Sequence, residues 1–161
     1  QKLMSVVINI SKTYYKPIQT YSKLFAAGAS EKENLAYLVG GCVISFIAQW
    51  PAQSRQAFIN QQPVNELMGA ILLSNLFLLP LIFYLVSVII FIFAKFFKSN
   101  ILGVELRLII FWSYLATTPI LLLVGLVEGF FGNNYQYYLV AGLWLSVFLI
   151  FVYLGFRGRS K

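Results

Sequence analysis

A run of apolar residues from Leu67 to Phe97 constrains this chain more than any other feature. A helix needs about 20 predominantly apolar residues to cross roughly 30 Å of hydrocarbon. At roughly 1.5 Å per residue this run exceeds that thickness, so it must tilt, kink or project beyond the bilayer. Three further stretches reach or approach spanning length: 34–50, 105–131 and 136–156. Composition agrees, because 60% of the 161 residues are hydrophobic, only 11% are charged and mean hydropathy is +0.79. A water-soluble domain of this size has too little polar surface to cover such a sequence. The expected fold is all-α: a polytopic membrane bundle with four transmembrane helices over 31–161 and a short N-terminal interfacial amphipathic helix within 1–30.

Charge orients the bundle, because lysine and arginine accumulate on the cytoplasmic side of membrane proteins. Eleven of the twelve basic residues precede the first span, surround the connection between the second and third, or follow the fourth. Arg55, in an expected loop over 51–65, is the exception. Four spans with both termini cytoplasmic fit this distribution, and Trp50, Tyr135, Tyr137 and Tyr138 fall where an outer aromatic belt would lie. Ser30 and Glu33 mark the start of the first span as a capping box. Residues 1–30 are too polar to span and lack a signal-peptide cleavage pattern. Lys12, Lys16 and Lys23 fall in a narrow stripe of one helix face, interleaved with apolar residues. The segment is therefore expected to lie on the anionic cytoplasmic leaflet, with these lysines at lipid headgroups. Nucleic acid is not an expected partner, since no stacking platform or groove-reading motif accompanies the lysines.

Several features inside the spans depart from plain hydrophobicity. Pro119 removes a backbone donor and frees the Leu115 carbonyl in a medium without water. Thr118 can return its hydroxyl to that carbonyl and Thr117 to Ser113, so a self-repaired kink is expected. Pro80 predicts a second kink. Gly125 and Gly129 form a GxxxG step that allows a neighbouring helix to approach closely, and small-residue pairs at Ala36/Gly40, Gly41/Ser45, Ala70/Ser74 and Gly142/Ser146 give every span a packing seam. Asn75, some ten residues into the second span, requires a hydrogen-bond partner on another helix or a wet cavity. Glu128 lies close to the outer interface, and Arg55 is the basic residue expected on that side, so an ion pair between them is predicted.

Chemistry is sparsely represented. The chain has no His and no Asp, and its five glutamates are split between the two expected membrane faces. The single cysteine, Cys42, sits in an apolar run and reads as a small core residue. No nucleophile with a visible base, no metal-ligand spacing and no phosphate-binding loop is present, so neither catalysis, a metal nor a cofactor is expected.

The string GCVISFIAQWPAQSRQAF, the proline in the second span and LRLIIFWSYLATTPILLLVGLVEGFFG resemble the bacterial branch of the YIP family, the multispanning Ypt/Rab-interacting-protein fold. The resemblance covers residues 13–157, including Tyr14, Pro17 and the Glu31/Glu33 pair. It implies a bacterial inner-membrane protein with no catalytic residue. In eukaryotic relatives a cytosolic N-terminal region meets small GTPases and the protein assists vesicle budding. The short N-terminal segment and the smaller number of spans depart from that pattern, so a small GTPase is not an expected partner. The resulting expectation is a non-enzymatic membrane protein that packs against the lipid bilayer and other integral membrane proteins, as an organiser or an accessory subunit of a large membrane complex. The alternative is a small transporter or channel-like protein using Asn75 and Glu128.

Overall fold

The computed structural model describes residues 2–159, with side chains from Met4 onward. Lys161, expected just beyond the last span, lies outside the described residues, as do Gln1 and Ser160. All regular structure among the described residues is helical. Pro17 pushes Lys16 out of the helical region (φ −140°, ψ 63°) and breaks the N-terminal segment into α1 (Lys2–Tyr15) and α2 (Pro17–Ala26). The next helix, α3 (Glu31–Ala48), begins where Ser30 Oγ accepts the Glu33 amide at 3.3 Å. Glu31 and Glu33 occupy the electropositive first turn.

The expected loop over 51–65 is mostly helix. After Ala48 the chain continues as α4 (Trp50–Asn60), so that Glu31–Asn60 forms one helical stretch of 30 residues. Pro51 lies in the first turn of α4, where a missing N–H is tolerated. Ala52 and Ala57 are buried. Gln61, in a left-handed conformation (φ 52°), closes α4. Arg55 is consequently a helical residue rather than a loop residue.

The long second run folds as α5 (Val64–Leu73), a π turn (Ser74–Leu78) and α6 (Leu79–Phe96), together 33 residues. In the π turn the Leu79 amide donates to the Ser74 carbonyl, five residues back. Pro80 follows at once. A widened turn is one way a helix accommodates a proline ring and its absent donor. The third stretch is broken at Thr117 into α7 (Gly103–Ala116) and α8 (Thr118–Phe131), bent by 45°. The last helix is α9 (Tyr135–Arg159). By length and composition α3–α4, α5–α6 and α9 are each able to cross a membrane, and α7–α8 supplies a further span if the bent pair is counted as one.

At the centre stands α7, buried at Leu106 and continuously from Leu108 to Ala116. Leu38 and Cys42 of α3 pack on one side of it, Phe83, Tyr84 and Phe91 of α6 on another, and Phe148, Phe151 and Val152 of α9 on a third. The remaining side is closed by α1 and α2. Tyr21 is 0% exposed, its hydroxyl 2.6 Å from Ser113 Oγ, while Tyr14 Oη donates to the Ala116 carbonyl at 2.7 Å. Burial pushes the Tyr21 phenol pKa up, and the Ser113 hydrogen bond opposes that shift. Tyr21 and Leu24 of α2 are turned into the bundle, whereas Met4, Val7, Ile8 and Tyr15 of α1 stay exposed.

Charge secures one end. Glu31 at the start of α3 binds Arg107 of α7 through both carboxylate oxygens, at 3.0 and 3.1 Å from Nε, and Glu105 of α7 accepts from Arg159 of α9 at 2.8 Å. The other end is held by close backbone approach. A Cβ at Gly125 would overlap the Ala48 carbonyl, and one at Gly129 would overlap Pro51. The GxxxG step therefore serves an intramolecular contact between α8 and α3–α4. A Cβ at Gly41 would lie 2.6 Å from the Tyr114 ring, one at Gly155 2.6 Å from Ile109, and one at Gly158 2.7 Å from Tyr21 Cβ. The other two glycines of the expected seams are less tightly placed: Gly40 lies against Leu115 with room for a Cβ at an ordinary 3.7 Å, and Gly142 meets nothing within 4 Å in the single chain.

This packing makes a graded prediction for unfolding by denaturant in lipid–detergent micelles. Gly125→Ala and Gly129→Val should each destabilise the bundle by ~2 kcal/mol or more, because the overlapped atoms belong to the backbone and to a proline ring. Gly142→Ala should stay within ~0.5 kcal/mol of the parent, as a surface change does.

Candidate functional site

Residues close to the three prolines of the apolar helices line one crevice. At the α7–α8 bend, Thr118 Oγ1 donates to the Leu115 carbonyl at 2.7 Å, the group that Pro119 deprives of its donor. Thr117 Oγ1 donates to the Ser113 and Tyr114 carbonyls at 3.0 and 2.9 Å. Both threonines are buried. The bend carries α8 away from the axis of α7 and toward Ala48 and Pro51.

Between α3, the π turn, the α7–α8 bend and α9 lies a crevice of about 240 Å³. Ser45, Gln49, Ser74, Asn75, Tyr114 and Trp144 supply its polar groups, with Leu79, Phe83 and Leu121 between them. Asn75 is only 4% exposed. Its amide nitrogen donates to the Ile71 carbonyl at 3.0 Å, and its oxygen accepts from Gln49 Nε2 at 3.3 Å. The partner that an intramembrane amide requires is therefore another amide, on the neighbouring helix. Not every group is satisfied. Among the described residues Asn34 Oδ1, Tyr114 Oη and Trp144 Nε1 are buried side-chain atoms that lack a well-formed hydrogen bond, Tyr114 having only Ser45 beside it, and the last two belong to residues lining this crevice.

A second cavity of about 320 Å³ shares Ser45, Gln49 and Leu121 with the first and extends past Gln53 to Glu128 and Tyr137. Glu128 also borders a smaller depression of about 220 Å³, together with Arg55, Gln56 and Asn133. The predicted ion pair is not formed there. Arg55 instead donates to the Phe130 carbonyl at 2.7 Å and reaches Gly129 O at 3.5 Å. Those carbonyls are at the C-terminus of α8, where no intrahelical donors remain and the helix dipole favours a cation. Glu128 is left facing the cavities without a cation, and Asn75 and Glu128, separate in sequence, line adjoining spaces.

The basic residues of the N-terminal segment form a different feature. Because the chain folds back at Lys16, Lys12, Lys16 and Lys23 border one exposed notch of about 370 Å³, with Asn9, Gln19 and Thr20. No acidic residue lines it.

Gln49 and Gln53 have no role in the sequence reading, which names Ser45 only as a small packing residue, although the three are four residues apart. That spacing is a polar stripe on one helix face, visible only if the helix is known to run through Pro51. Tyr114 and Trp144 carried no distinguishing signal, because an aromatic residue in an apolar span ordinarily packs. No family model, curated protein or solved structure matches this chain.

The geometry reverses one expectation about energetic coupling. In a double-mutant cycle read by micellar unfolding, Arg55→Ala and Glu128→Gln should be additive within ~0.5 kcal/mol, as for groups that share no contact. Gln49→Ala and Asn75→Ala should couple by ~0.6 kcal/mol, the usual size of a hydrogen bond between membrane helices.

Proposed function

We propose that this protein is a non-enzymatic, multi-pass protein of the bacterial inner membrane, with both termini cytoplasmic. In this reading it acts by packing its helices against other membrane proteins, as a YIP-type organiser or an accessory subunit of a larger complex. The observation that carries the proposal is the outward face of the π turn and α6. Leu78, Leu81, Leu85, Val88 and Ile92 are all exposed, and their alternating three- and four-residue steps make the seam that a second helix fills with knobs and holes. Lipid tails would cover any apolar face, but a regular seam is also suited to lateral association.

Two further observations support the reading. Glu31 and Glu105 are taken up by Arg107 and Arg159, so those carboxylates serve helix alignment. The N-terminal helices are docked on α7 and α9 through Tyr14, Tyr21 and Ser22, so residues 4–26 are part of the helical bundle. Lys12, Lys16 and Lys23 remain exposed and suit anionic headgroups.

The transport reading has one specific observation in its favour, the adjoining spaces lined by Asn75 and Glu128. Against it, Leu38, Cys42, Ile109, Ile110 and Phe111 pack beneath Tyr114 in a continuous apolar core. Isolation in mild detergent should recover a stoichiometric membrane partner. Leu85→Trp in the seam should reduce its recovery at least ~10-fold, the size of a packing clash of ~1.4 kcal/mol or more at an interface, without lowering the unfolding midpoint of the isolated chain. Solute flux through the reconstituted protein that is abolished by Glu128→Gln would instead establish the transport reading.

A further inference from the structure

We infer that the crevice is a binding site for an aminophospholipid, with its primary ammonium at Glu128, its ester oxygens at Tyr114 and Trp144, and its acyl chains leaving between α6 and α9. Three independent features converge on that chemistry, and none depends on the α6 seam or its partner.

The first is a buried donor without a partner, beside a second that is only weakly held. The buried indole Nε1 of Trp144 has no partner, and the hydroxyl of Tyr114, a residue 2% exposed, has only Ser45 beside it, outside good hydrogen-bond geometry. In an apolar surrounding an unmatched N–H or O–H is strongly disfavoured. Both residues line the crevice, so an acceptor-bearing ligand placed there would meet both groups.

The second feature is an unmatched carboxylate. Arg55 is drawn onto the Phe130 carbonyl, leaving Glu128 on the wall of the outer cavity with Tyr137 beside it. A primary ammonium supplies a counter-charge and three donors, and an aromatic ring nearby favours a cation. The remaining donors of Arg55 border the depression it shares with Glu128, within reach of a phosphate. An anionic headgroup without an amine would set a second negative charge against Glu128.

Length and access make up the third. Trp144 and Tyr137 are seven residues apart on α9, about 10 Å at 1.5 Å per residue. That separation is comparable to the distance between the amine and the ester carbonyls of an extended phospholipid headgroup. The site opens toward the bilayer, because α6 and α9 each lean on α7 and share little contact with one another. On the inner side Phe83 and Phe148 close the gap, their rings 6.5 Å apart. A tail can leave the crevice sideways into hydrocarbon, which a soluble solute has no need to do.

The test uses the full chain in mild detergent and in nanodiscs containing phosphatidylethanolamine and phosphatidylglycerol at equal mole fraction. Native mass spectrometry should show phosphatidylethanolamine retained in preference to phosphatidylglycerol. Acyl-brominated phosphatidylethanolamine should quench the part of the tryptophan emission that Trp144→Phe removes. Glu128→Gln should lower the preference about tenfold, the effect of losing one charge-assisted contact. Trp144→Phe, which keeps an aromatic side chain and removes the donor, should lower retention several-fold and guards against a Glu128 variant that does not fold. Equal retention of the two lipids, unchanged preference in both variants, or a crevice that retains no lipid and holds water alone would overturn the assignment. Competition by free phosphoethanolamine as strong as by the lipid would also overturn it, since the acyl chains would then play no part.

Discussion

Backbone amides and carbonyls need partners, and hydrocarbon offers none, so each proline in an apolar helix creates a local debt of hydrogen bonds. This chain has three such prolines in its longest helices and answers each differently. Pro51 is placed in the first turn of α4, where its missing donor matters least. Pro80 follows a π turn, in which a wider ring of hydrogen bonds gives the proline space. Pro119 is answered by Thr118, whose hydroxyl returns to the freed Leu115 carbonyl. The crevice is lined by residues adjoining all three breaks: Gln49, Asn75 and Leu121. Interrupted helices around a polar space are an arrangement that membrane proteins use where a bilayer-embedded site is required. Here the polar groups at the breaks partly satisfy one another, as Gln49 does for Asn75, and partly remain open, as at Trp144.

Cohesion elsewhere depends on small residues and on charges at one end. Apolar side chains gain little by leaving lipid for protein, so close packing has to supply the attraction. Gly125 and Gly129 bring α8 onto the backbone at Ala48 and Pro51, and Gly155 and Gly158 bring α9 onto Ile109 and Tyr21. At the opposite end from Arg55, the Glu31–Arg107 and Glu105–Arg159 pairs align the ends of α3, α7 and α9. The N-terminal helices complete the enclosure of α7 with hydrogen bonds from Tyr14, Tyr21 and Trp112, the last to Thr13. Polar side chains thereby meet at the seams while the outer faces of α6 and α9 stay apolar.

Much of the architecture was legible from single-residue chemistry. Apolar run lengths gave the long helices, and Ser30 gave the start of α3. The Thr117-Thr118-Pro119 triplet contained both the kink and its hydrogen bonds, because all the groups involved lie within four residues of one another. The reading went astray where a local signal was ambiguous. By sequence Pro51 reads as the end of a helix, although a proline is equally suited to the first turn of the next one. That choice turned 51–65 into a loop and hid the Ser45, Gln49, Gln53 stripe. Arg55 and Glu128 were paired because their charges are opposite and both lie near one end. The arginine instead meets the unsatisfied carbonyls that end α8, a demand of backbone geometry that a charge count does not reveal.

The amino-acid sequence by itself determined that this chain is helical and apolar, where three proline breaks fall, and which small residues were available for close contact. These properties depend on periodicity, side-chain volume and missing donors, all of which are local. Tertiary structure decided which glycines meet a backbone and which face open space, that Asn75 pairs with Gln49, and that Tyr114, Trp144 and Glu128 border adjoining cavities. Such outcomes depend on the azimuth of each helix about its own axis and on the 45° bend at Thr117. Rotating a helix by one residue step of about 100° would exchange its contact and lipid faces without changing a single local preference.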